Sequence, residues 1–161
     1  MAITYVGIGS NLGDRRDNID RAIVLLKEDE EIAVRAVSAI LETEFQGEGP
    51  AQEKFLNGVL KLETDLLPLD LLSRLRSVER RLGRTKAQGH HQPRTMDLDV
   101  LFYDDVVIVD GKTLCIPHPR LQQRRFVLEP LAEIAPNLVH PRLGKTVRQL
   151  HQELHESSRN P

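Results

Sequence analysis

The sequence predicts an α+β protein in which helices pack on a mainly antiparallel sheet. Its 161 residues contain both runs with the alternation of strands and runs with the three-to-four spacing of helices. These runs do not alternate regularly enough for a doubly wound parallel sheet. A short turn at residues 104–105 joins two neighbouring strand-forming runs, and such turns are typical of antiparallel sheets.

The predicted strands are rich in valine, isoleucine and leucine and are bounded by glycine, proline or aspartate. The first ends at the turn of residues 9–13, and the fourth contains two aspartates. The fifth follows the turn at residues 104–105 and is expected to form a hairpin with the fourth. The predicted strands cover residues 3–8, 32–41, 55–64, 95–103 and 106–109.

Four amphipathic helices are predicted from apolar stripes. Pro68 suits the first turn of the second helix and Gly83 suits its end, because proline lacks an N–H and glycine tolerates the left-handed conformation. The third helix covers residues 124–134, and the polar tail after His155 is expected to fray. The stripes of the other three helices contain Ile19, Ala22, Ile23 and Leu26, then Leu71, Leu72, Leu75, Val78 and Leu82, and finally Val147, Leu150 and Leu154.

Composition restricts the class of protein. The length suits a single domain over residues 1–161. A net charge of −2 does not call for nucleic acid or an anionic membrane as a partner. The only cysteine, Cys115, cannot form an internal disulfide, which favours a reducing, cytoplasmic compartment. We expect no signal peptide and no transmembrane helix, because the first residues lack a basic segment and a long apolar run.

Two long segments are predicted to be loops. Residues 44–54 contain two glycines and a proline with few apolar residues, and residues 84–94 show no periodicity but several basic and imidazole groups. Long loops in compact domains are often binding loops, so we expect both segments to act as mobile lids.

The segment around Asp97 and Asp99 is the strongest indication of chemistry. Alternation on a strand turns Met96, Leu98 and Val100 inward and both aspartates to the other face. Paired carboxylates repel each other unless a cation lies between them, and Mg²⁺ on carboxylates usually also binds substrate phosphates. An alternative is that the pair is only the solvated face of an edge strand.

Three other features each allow a binding and a purely structural interpretation. The turn at residues 9–13 joins a strand to a helix and could bind an anion, although its spacing favours a plain turn. Glu79 lies beside the apolar stripe of its helix and is either solvated or in contact with a ligand. Phe55 and Asn57 share one face of their strand and could stack on and hydrogen-bond a flat heterocycle, or belong to the core.

These segments together resemble the 6-hydroxymethyl-7,8-dihydropterin pyrophosphokinase family. The resemblance covers nearly the whole chain, and its matching segments occur in the same order. It is carried by residues 9–13, 55–57, 79–84, 93–99, and 116–120 with Arg124, Phe126, Pro130 and Leu131.

The resemblance implies a ferredoxin-like sandwich and an enzyme of folate biosynthesis, which moves the terminal pyrophosphate of ATP onto the hydroxymethyl group of the pterin and releases AMP. Our hypothesis is that this enzyme is a monomer. The resemblance also implies two Mg²⁺ ions held by Asp97 and Asp99. The implied pterin contacts are Thr43, Phe55, Asn57 and Phe126, with the ring between the two phenylalanines. The implied nucleotide contacts are Arg76, Glu79, Lys86, Val100, His118 and Arg124, and the implied catalytic loop residues are Arg84 and Arg94.

Some positions depart from the family pattern. Lys86 replaces a usual arginine, Arg76 stands where glutamine is common, and residues 90–92 replace a segment that often contains tryptophan. These changes concern loop closure and nucleotide affinity. Two other functions remain open at this point: a two-metal nucleotidyl transferase, which would release pyrophosphate instead of AMP, and a non-catalytic ferredoxin-like binding module.

Overall fold

The computed structural model describes residues 1–43, 54–83, 96–109 and 113–159. Three of the candidate residues, Arg84, Lys86 and Arg94, lie outside these ranges, as do the predicted loops of residues 44–54 and 84–94 apart from Lys54. The strands are β1 (Ala2–Ser10), β2 (Ile32–Val37), β3 (Leu41–Thr43), β4 (Phe55–Thr64), β5 (Asp97–Tyr103), β6 (Ile108–Val109) and β7 (Cys115–Ile116). The helices are α1 (Arg15–Glu28), α2 (Pro68–Arg81), α3 (Arg125–Ile134) and α4 (Val147–Arg159), with a short 3₁₀ helix at Leu121–Gln123.

The main sheet has the strand order β2-β4-β1-β5, with β3 also paired to β4. All of these pairings are antiparallel. The order, with α1 and α2 on one face, is the ferredoxin-like arrangement, so the predicted fold class is confirmed.

Helices cover both faces of this sheet. On one face, α1 and α2 bury residues such as Ile19 and Leu75 against Leu62 and Leu98 of the sheet. On the other face, α3 and α4 bury residues such as Leu131. Each fully buried leucine of this kind stabilises the fold by about 1.5–3 kcal/mol relative to an exposed one. The second layer covers only part of its face, because β5 presents polar residues at Asp97 and Asp99 before it reaches the buried Leu101.

The long strand predicted over residues 32–41 is interrupted in the structure. The main chain leaves the ladder after Val37 and re-enters it at Leu41. At the interruption, the Ser38 hydroxyl accepts a hydrogen bond from Val59 N–H at 2.8 Å, and Ala39 N–H donates to the Glu133 carboxylate of α3 at 3.1 Å. Polar groups of the interruption are therefore satisfied by side-chain bonds that the pattern of apolar residues could not reveal.

The predicted hairpin between the fourth and fifth strands is wrong. Residues 104–105 do form a turn, but β6 pairs with β7 rather than with β5. The physical reason lies at the outer edge of β5, where other groups already bind the main chain. His118 N–H donates to the Leu101 carbonyl at 3.1 Å, and side chains of α2 bind Leu98.

The helix ends follow local sequence signals. The Asp14 side chain accepts a hydrogen bond from Asp17 N–H at the start of α1. Pro68 begins α2, and Gly83 adopts a φ of +102° just after its end, which L side chains rarely adopt. The last helix runs on to Arg159, beyond His155 where the sequence analysis expected fraying to begin. Among the described residues, no helix is long and apolar enough to cross a membrane.

Candidate functional site

The site lies on the sheet face that α3 and α4 cover only in part. In the pairing of β1 with its neighbours, Gly9 lies opposite Asn57 on one side and Asp97 on the other. Gly7 lies in the same way between Val59 and Asp99. Strands are about 4.8 Å apart, so Asn57 and Asp97 lie on one row of the sheet roughly 10 Å apart, with only main chain between them.

Gly9 is required by the close approach of its neighbour. A Cβ atom at this position would lie 2.6 Å from Asn57 Oδ1, which is closer than real Cβ atoms come to other atoms. At Gly7, in contrast, the nearest atom would be a Leu101 methyl carbon at 3.6 Å, an ordinary contact. The two glycines leave a strip of bare main chain between the amide on β4 and the carboxylates on β5.

Asp97 and Asp99 project from β5 as alternation predicts. Their side chains are half-buried, while Met96, Leu98 and Val100 are buried in the core under α1 and α2. Burial and the negative charge of Asp97 raise the pKa of Asp99 to about 7, against the opposing charges of Arg76 and Arg124. The metal-free site therefore does not readily hold two ionised carboxylates, which is the condition that a bound cation relieves.

This donor set fits a divalent cation. Carboxylate oxygens are the ligands that Mg²⁺ prefers, and Mg²⁺ usually takes only one or two of them together with substrate phosphates and water. In the described residues, no third His, Cys, Asp or Glu joins the pair to form a metal-binding cluster.

His118 and Arg124 bring hydrogen-bond donors to the same end of β5. Burial and the charge of Arg124 lower the pKa of His118 to about 4, so its imidazole is neutral at neutral pH. His118 Nδ1 accepts a hydrogen bond from Arg120 N–H at 3.4 Å, which leaves the ring proton on Nε2. Burial lowers the pKa of Arg124, but an arginine stays charged in proteins. One neutral and one charged donor therefore lie near the carboxylates.

Arg124 also contacts the aromatic residue of the site. Its guanidinium carbon lies 5.6 Å from the centroid of the Phe126 ring, within the range of a cation–π contact. Arg124 is the residue before α3, and Phe126 lies in the first turn of that helix. The start of α3 therefore brings a cation and an aromatic ring to the edge of the same site.

Thr43, Phe55 and Asn57 lie at the other end of the row. Thr43 pairs with Phe55 across β3 and β4, and Asn57 follows Phe55 on the same face of the strand. Asn57 Nδ2 donates to Thr43 Oγ1 at 2.6 Å, which directs the amide oxygen towards Gly9. This end of the site therefore offers an oriented hydrogen-bond acceptor beside an aromatic ring.

The three remaining described candidates lie at the outer edge of β5. Arg76 and Glu79, both on α2, bind the main chain of Leu98. The side chain of Val100 is buried in the core, so only its main chain could contact a nucleotide. The contact between α2 and Leu98 could not be predicted from the sequence. Glu79, for which the sequence left open solvation or contact with a ligand, is buried and bound to Leu98 N–H.

The turn at residues 9–13 has the structure of a plain turn. Asn18 Nδ2 donates to the Leu12 carbonyl at 2.9 Å and to the buried Ser10 hydroxyl at 3.4 Å, which closes the turn from within. The Asp14 carboxylate accepts a hydrogen bond from Asp17 N–H and adds negative charge at the start of α1. This arrangement does not favour an anion there.

Paired carboxylates that can hold divalent cations, with an arginine beside them, are typical of an enzyme that transfers a phosphate-containing group. The profile of one family, 7,8-dihydro-6-hydroxymethylpterin-pyrophosphokinase, matches residues 5–136. The chain belongs to this family.

Relatives and solved structures agree with this assignment. The chain is 42% identical over 153 residues to the 2-amino-4-hydroxy-6-hydroxymethyldihydropteridine pyrophosphokinase of Aquifex aeolicus, covering 95% of this chain and 92% of that one. It is 41% identical over 132 residues to the enzyme of that name from Bacillus subtilis, covering 82% and 77%. A crystal structure of HPPK-DHPS in complex with substrates shares the fold with a TM-score of 0.73 at 15% identity, covering 98% of this chain. The chain spans 44% of the length of that longer protein.

The reaction follows from the family. The chain is a pyrophosphokinase of folate synthesis, which transfers pyrophosphate from ATP to the hydroxymethyl group of 6-hydroxymethyl-7,8-dihydropterin.

Proposed function

We propose that the chain carries out this transfer with two Mg²⁺ ions held by Asp97 and Asp99, and that it binds the two substrates at opposite ends of one row of the sheet. The observation that carries the proposal is the register of Asn57, Gly9 and Asp97 across three neighbouring strands. An acceptor for the pterin and a carboxylate for the metal lie on this row, separated by bare main chain. In this arrangement the hydroxymethyl group faces the phosphates.

The pterin ring binds between Phe55 and Phe126, with Thr43 and Asn57 as its hydrogen-bonding partners. Both aromatic side chains are half-buried, so each can lose water from a ring face without leaving its place in the structure. The Asn57 amide is held by its 2.6 Å bond to Thr43 before substrate binds. This preorganisation favours a ring that presents N–H donors to the Asn57 oxygen.

The nucleotide binds along the outer end of β5. Arg124 and neutral His118 donate to phosphate oxygens, and Lys86 adds charge from outside the described residues. Main-chain groups of Val100 contact the base, since its side chain is buried. Arg76 and Glu79 lie at this same edge of β5. We assign the transfer step to Arg84 and Arg94, also outside the described residues, as donors to charge that moves during the reaction.

In the transfer, the pterin hydroxyl oxygen forms a bond to the β-phosphorus of ATP. The bond from that phosphorus to the α,β-bridging oxygen breaks, AMP leaves with this oxygen, and the hydroxyl proton is released to water. Bound Mg²⁺ supplies neutralisation of the phosphate charge. The protein holds the two reactants in line and excludes water, which is most of what phosphoryl-type transfer requires.

We also propose that residues 1–161 act as one domain and as a monomer. The outer edge of β2 is short, because the strand is interrupted after Val37, and it carries the charged Arg35, which is paired with Glu63 at 2.6 Å. The outer edge of β5 is occupied at Leu98 and Leu101. Interrupted and occupied edges disfavour pairing with a strand of another chain.

The first test is a chromatographic assay with ATP, Mg²⁺ and 6-hydroxymethyl-7,8-dihydropterin. We expect AMP and the pterin diphosphate in equal amounts, and loss of both with EDTA and in Asp99→Asn. Asp105→Asn, in the exposed turn after β5, is the matched control and should retain activity. Free pyrophosphate instead of AMP would indicate nucleotidyl transfer and contradict the proposal, as would full activity of Asp99→Asn.

A further inference from the structure

The main chain of Leu98 is held from outside the sheet by two side chains of α2. Glu79 Oε2 accepts a hydrogen bond from Leu98 N–H at 2.8 Å. Arg76 Nη1 donates to the Leu98 carbonyl at 2.9 Å and to Glu79 Oε2 at 2.8 Å. Both polar groups of one residue are thus bound by one ion pair.

These contacts replace a missing neighbouring strand. On a strand, the main-chain groups of alternate residues point to opposite edges, so those of Leu98 face away from β1. This edge of β5 has no partner strand in the described part of the main sheet. The Glu79 side chain is only 1% exposed, so the Leu98 N–H meets a carboxylate from which water is largely excluded. Leaving such an N–H unpaired would destabilise this edge of the strand.

Leu98 is the residue between the two aspartates. Its main-chain torsions therefore set how the Asp97 and Asp99 side chains are oriented relative to each other. We propose that the Arg76–Glu79 ion pair is a positioning device: it holds the Leu98 main chain so that both carboxylates are oriented to bind divalent cations before the nucleotide arrives. This inference rests on the proposed metal site, and it gives Arg76 and Glu79 a task different from nucleotide contact.

The charge of Arg76 makes the inference sharply testable. Removing a positive charge beside the carboxylates, by itself, strengthens cation binding. Releasing the Leu98 main chain weakens it, and changes to groups that orient metal ligands typically cost about 10–100-fold in affinity. The electrostatic and the geometric effects of one substitution therefore have opposite signs.

The experiment measures Mn²⁺ binding by electron paramagnetic resonance, in the presence of α,β-methylene-ATP, which cannot be cleaved at the relevant bond. We expect Arg76→Leu to weaken Mn²⁺ binding about tenfold. Arg76→Gln, which keeps an N–H donor without the charge, should bind Mn²⁺ at least as tightly as the parent. Calorimetry of the same analogue in EDTA should give equal affinity for the parent and both variants.

Arg74→Leu is the matched control. Arg74 also lies on α2 and is 40% exposed, against 37% for Arg76, but its partners are Asp29 and Glu31 rather than β5. Its substitution removes the same charge and leaves Mn²⁺ affinity unchanged. If Arg76→Leu does not fold by circular dichroism, Arg76→Ala repeats the test with less apolar bulk.

Mn²⁺ binding in Arg76→Leu that is as tight as in Arg76→Gln would overturn the inference, because both variants lack the charge and only Arg76→Gln keeps an N–H donor. Weaker binding of the analogue in EDTA would also overturn it, because Arg76 would then be a nucleotide ligand. Asp99→Asn separates this failure from failure of the metal site. If Asp99→Asn keeps the parental Mn²⁺ affinity, the proposed metal site is wrong and the positioning role falls with it. If it loses that affinity while Arg76→Leu binds Mn²⁺ as tightly as Arg76→Gln, only the positioning role is overturned.

Discussion

At the scale of single residues, the carboxylate of Asp99 works against the stability of the metal-free protein. Its pKa is raised to about 7 by burial and by Asp97, so ionisation at neutral pH is unfavourable in the folded state. In linkage terms, this group favours folding at low pH, and the contribution is lost as pH rises through the folded pKa of about 7. In the proposed metal site, a group that binds the cation is therefore a source of instability when no cation is bound.

Asp99→Asn should therefore separate stability from activity. We expect the substitution to raise the free energy of unfolding of the metal-free protein by about 1–2 kcal/mol at pH 8, after discounting for solvent screening. The same change should lower kcat by about a thousandfold or more, since the metal is lost. Urea unfolding in EDTA measures the first effect and steady-state assays the second. A less stable Asp99→Asn protein would contradict the assignment.

His118 contributes a pH dependence of the opposite sign. Its pKa is lowered to about 4 from the ordinary value of 6.5, so the folded state binds fewer protons than the unfolded state between these values. The stability that His118 provides is complete above pH 6.5 and is lost as pH falls towards 4. This loss overlaps the range in which protonation of Asp99 favours folding, so the two effects partly cancel in the parent.

The prediction is that His118→Gln gains stability relative to the parent as pH falls. The difference in free energy of unfolding should stay constant above pH 7 and shift by about 1–2 kcal/mol in favour of the variant between pH 6.5 and 4. Urea unfolding across a pH series gives this difference directly. His155→Gln, on an exposed part of α4, serves as the control and should show no such shift. A flat difference for His118→Gln would show that the imidazole is not buried in the neutral form.

At the scale of elements, β1 lies between the two ends of the proposed site and presents glycine to it at positions 7 and 9. Its two glycines face the site between the residues of β4 and β5. Gly9 is sterically required by Asn57, whereas Gly7 has room for a methyl group. The strand thus offers two positions at which the same substitution has different consequences.

Gly9→Ala should impair use of the pterin, because the new methyl group displaces the Asn57 amide from Thr43. We expect the KM for the pterin to rise about tenfold or more, which corresponds to loss of roughly one oriented hydrogen bond. The KM for ATP should change less than twofold, about the error of such assays. Gly7→Ala is the matched control on the same strand and face. Equal effects of the two substitutions on the pterin KM would contradict the role assigned to Gly9.

Elements also show how far the sequence could predict the structure. The face of Asp97 and Asp99 followed from alternation, and the bounds of α2 followed from Pro68 and Gly83, because these signals are local. The interruption after Val37 and the pairing of β6 were not predictable, since they depend on bonds to Glu133 and on the occupied edge of β5. Local patterns do not encode which distant group satisfies a main-chain N–H.

The candidate site was predictable to a similar degree. The resemblance to a family supplied residues for both substrates, and the structure brings Asp97, His118 and Arg124 to one end of β5 and Asn57 to the same row. The contact of Arg76 and Glu79 with Leu98 required the packing of α2 against the sheet edge. The strip of main chain at Gly9 required the strand register. Both the contact with Leu98 and the strip at Gly9 depend on tertiary structure, which no short sequence motif encodes.

At the scale of the whole molecule, the helices on the two faces of the sheet have different roles. The layer of α1 and α2 provides the larger core, while the layer of α3 and α4 is partial and borders the site. In the proposed binding mode, the ligands bridge β4, β5 and the start of α3 and so connect this second layer to the sheet. Binding energy at the site adds to the stability of the folded state.

We accordingly expect Mg²⁺ with α,β-methylene-ATP, at about 100 times the dissociation constant, to raise the free energy of unfolding by about 2.7 kcal/mol. For a chain of this size the melting temperature should rise by roughly 5–10 °C. Differential scanning calorimetry with and without EDTA checks this expectation. An equal rise in Asp99→Asn would show that the nucleotide binds without the proposed metal site.

The row that joins Asn57, Gly9 and Asp97 also bears on how such an enzyme can change in evolution. The separation between Asn57 and Asp97, the proposed contacts of the two substrates, is a whole number of strand spacings, because each residue lies on its own strand beside β1. A register slip of one residue would turn the affected side chains to the opposite face, so this separation cannot be adjusted gradually. A descendant that accepts a longer or shorter acceptor alcohol must therefore accommodate the change in length through its loops, because the sheet fixes the distance between the donor and acceptor positions.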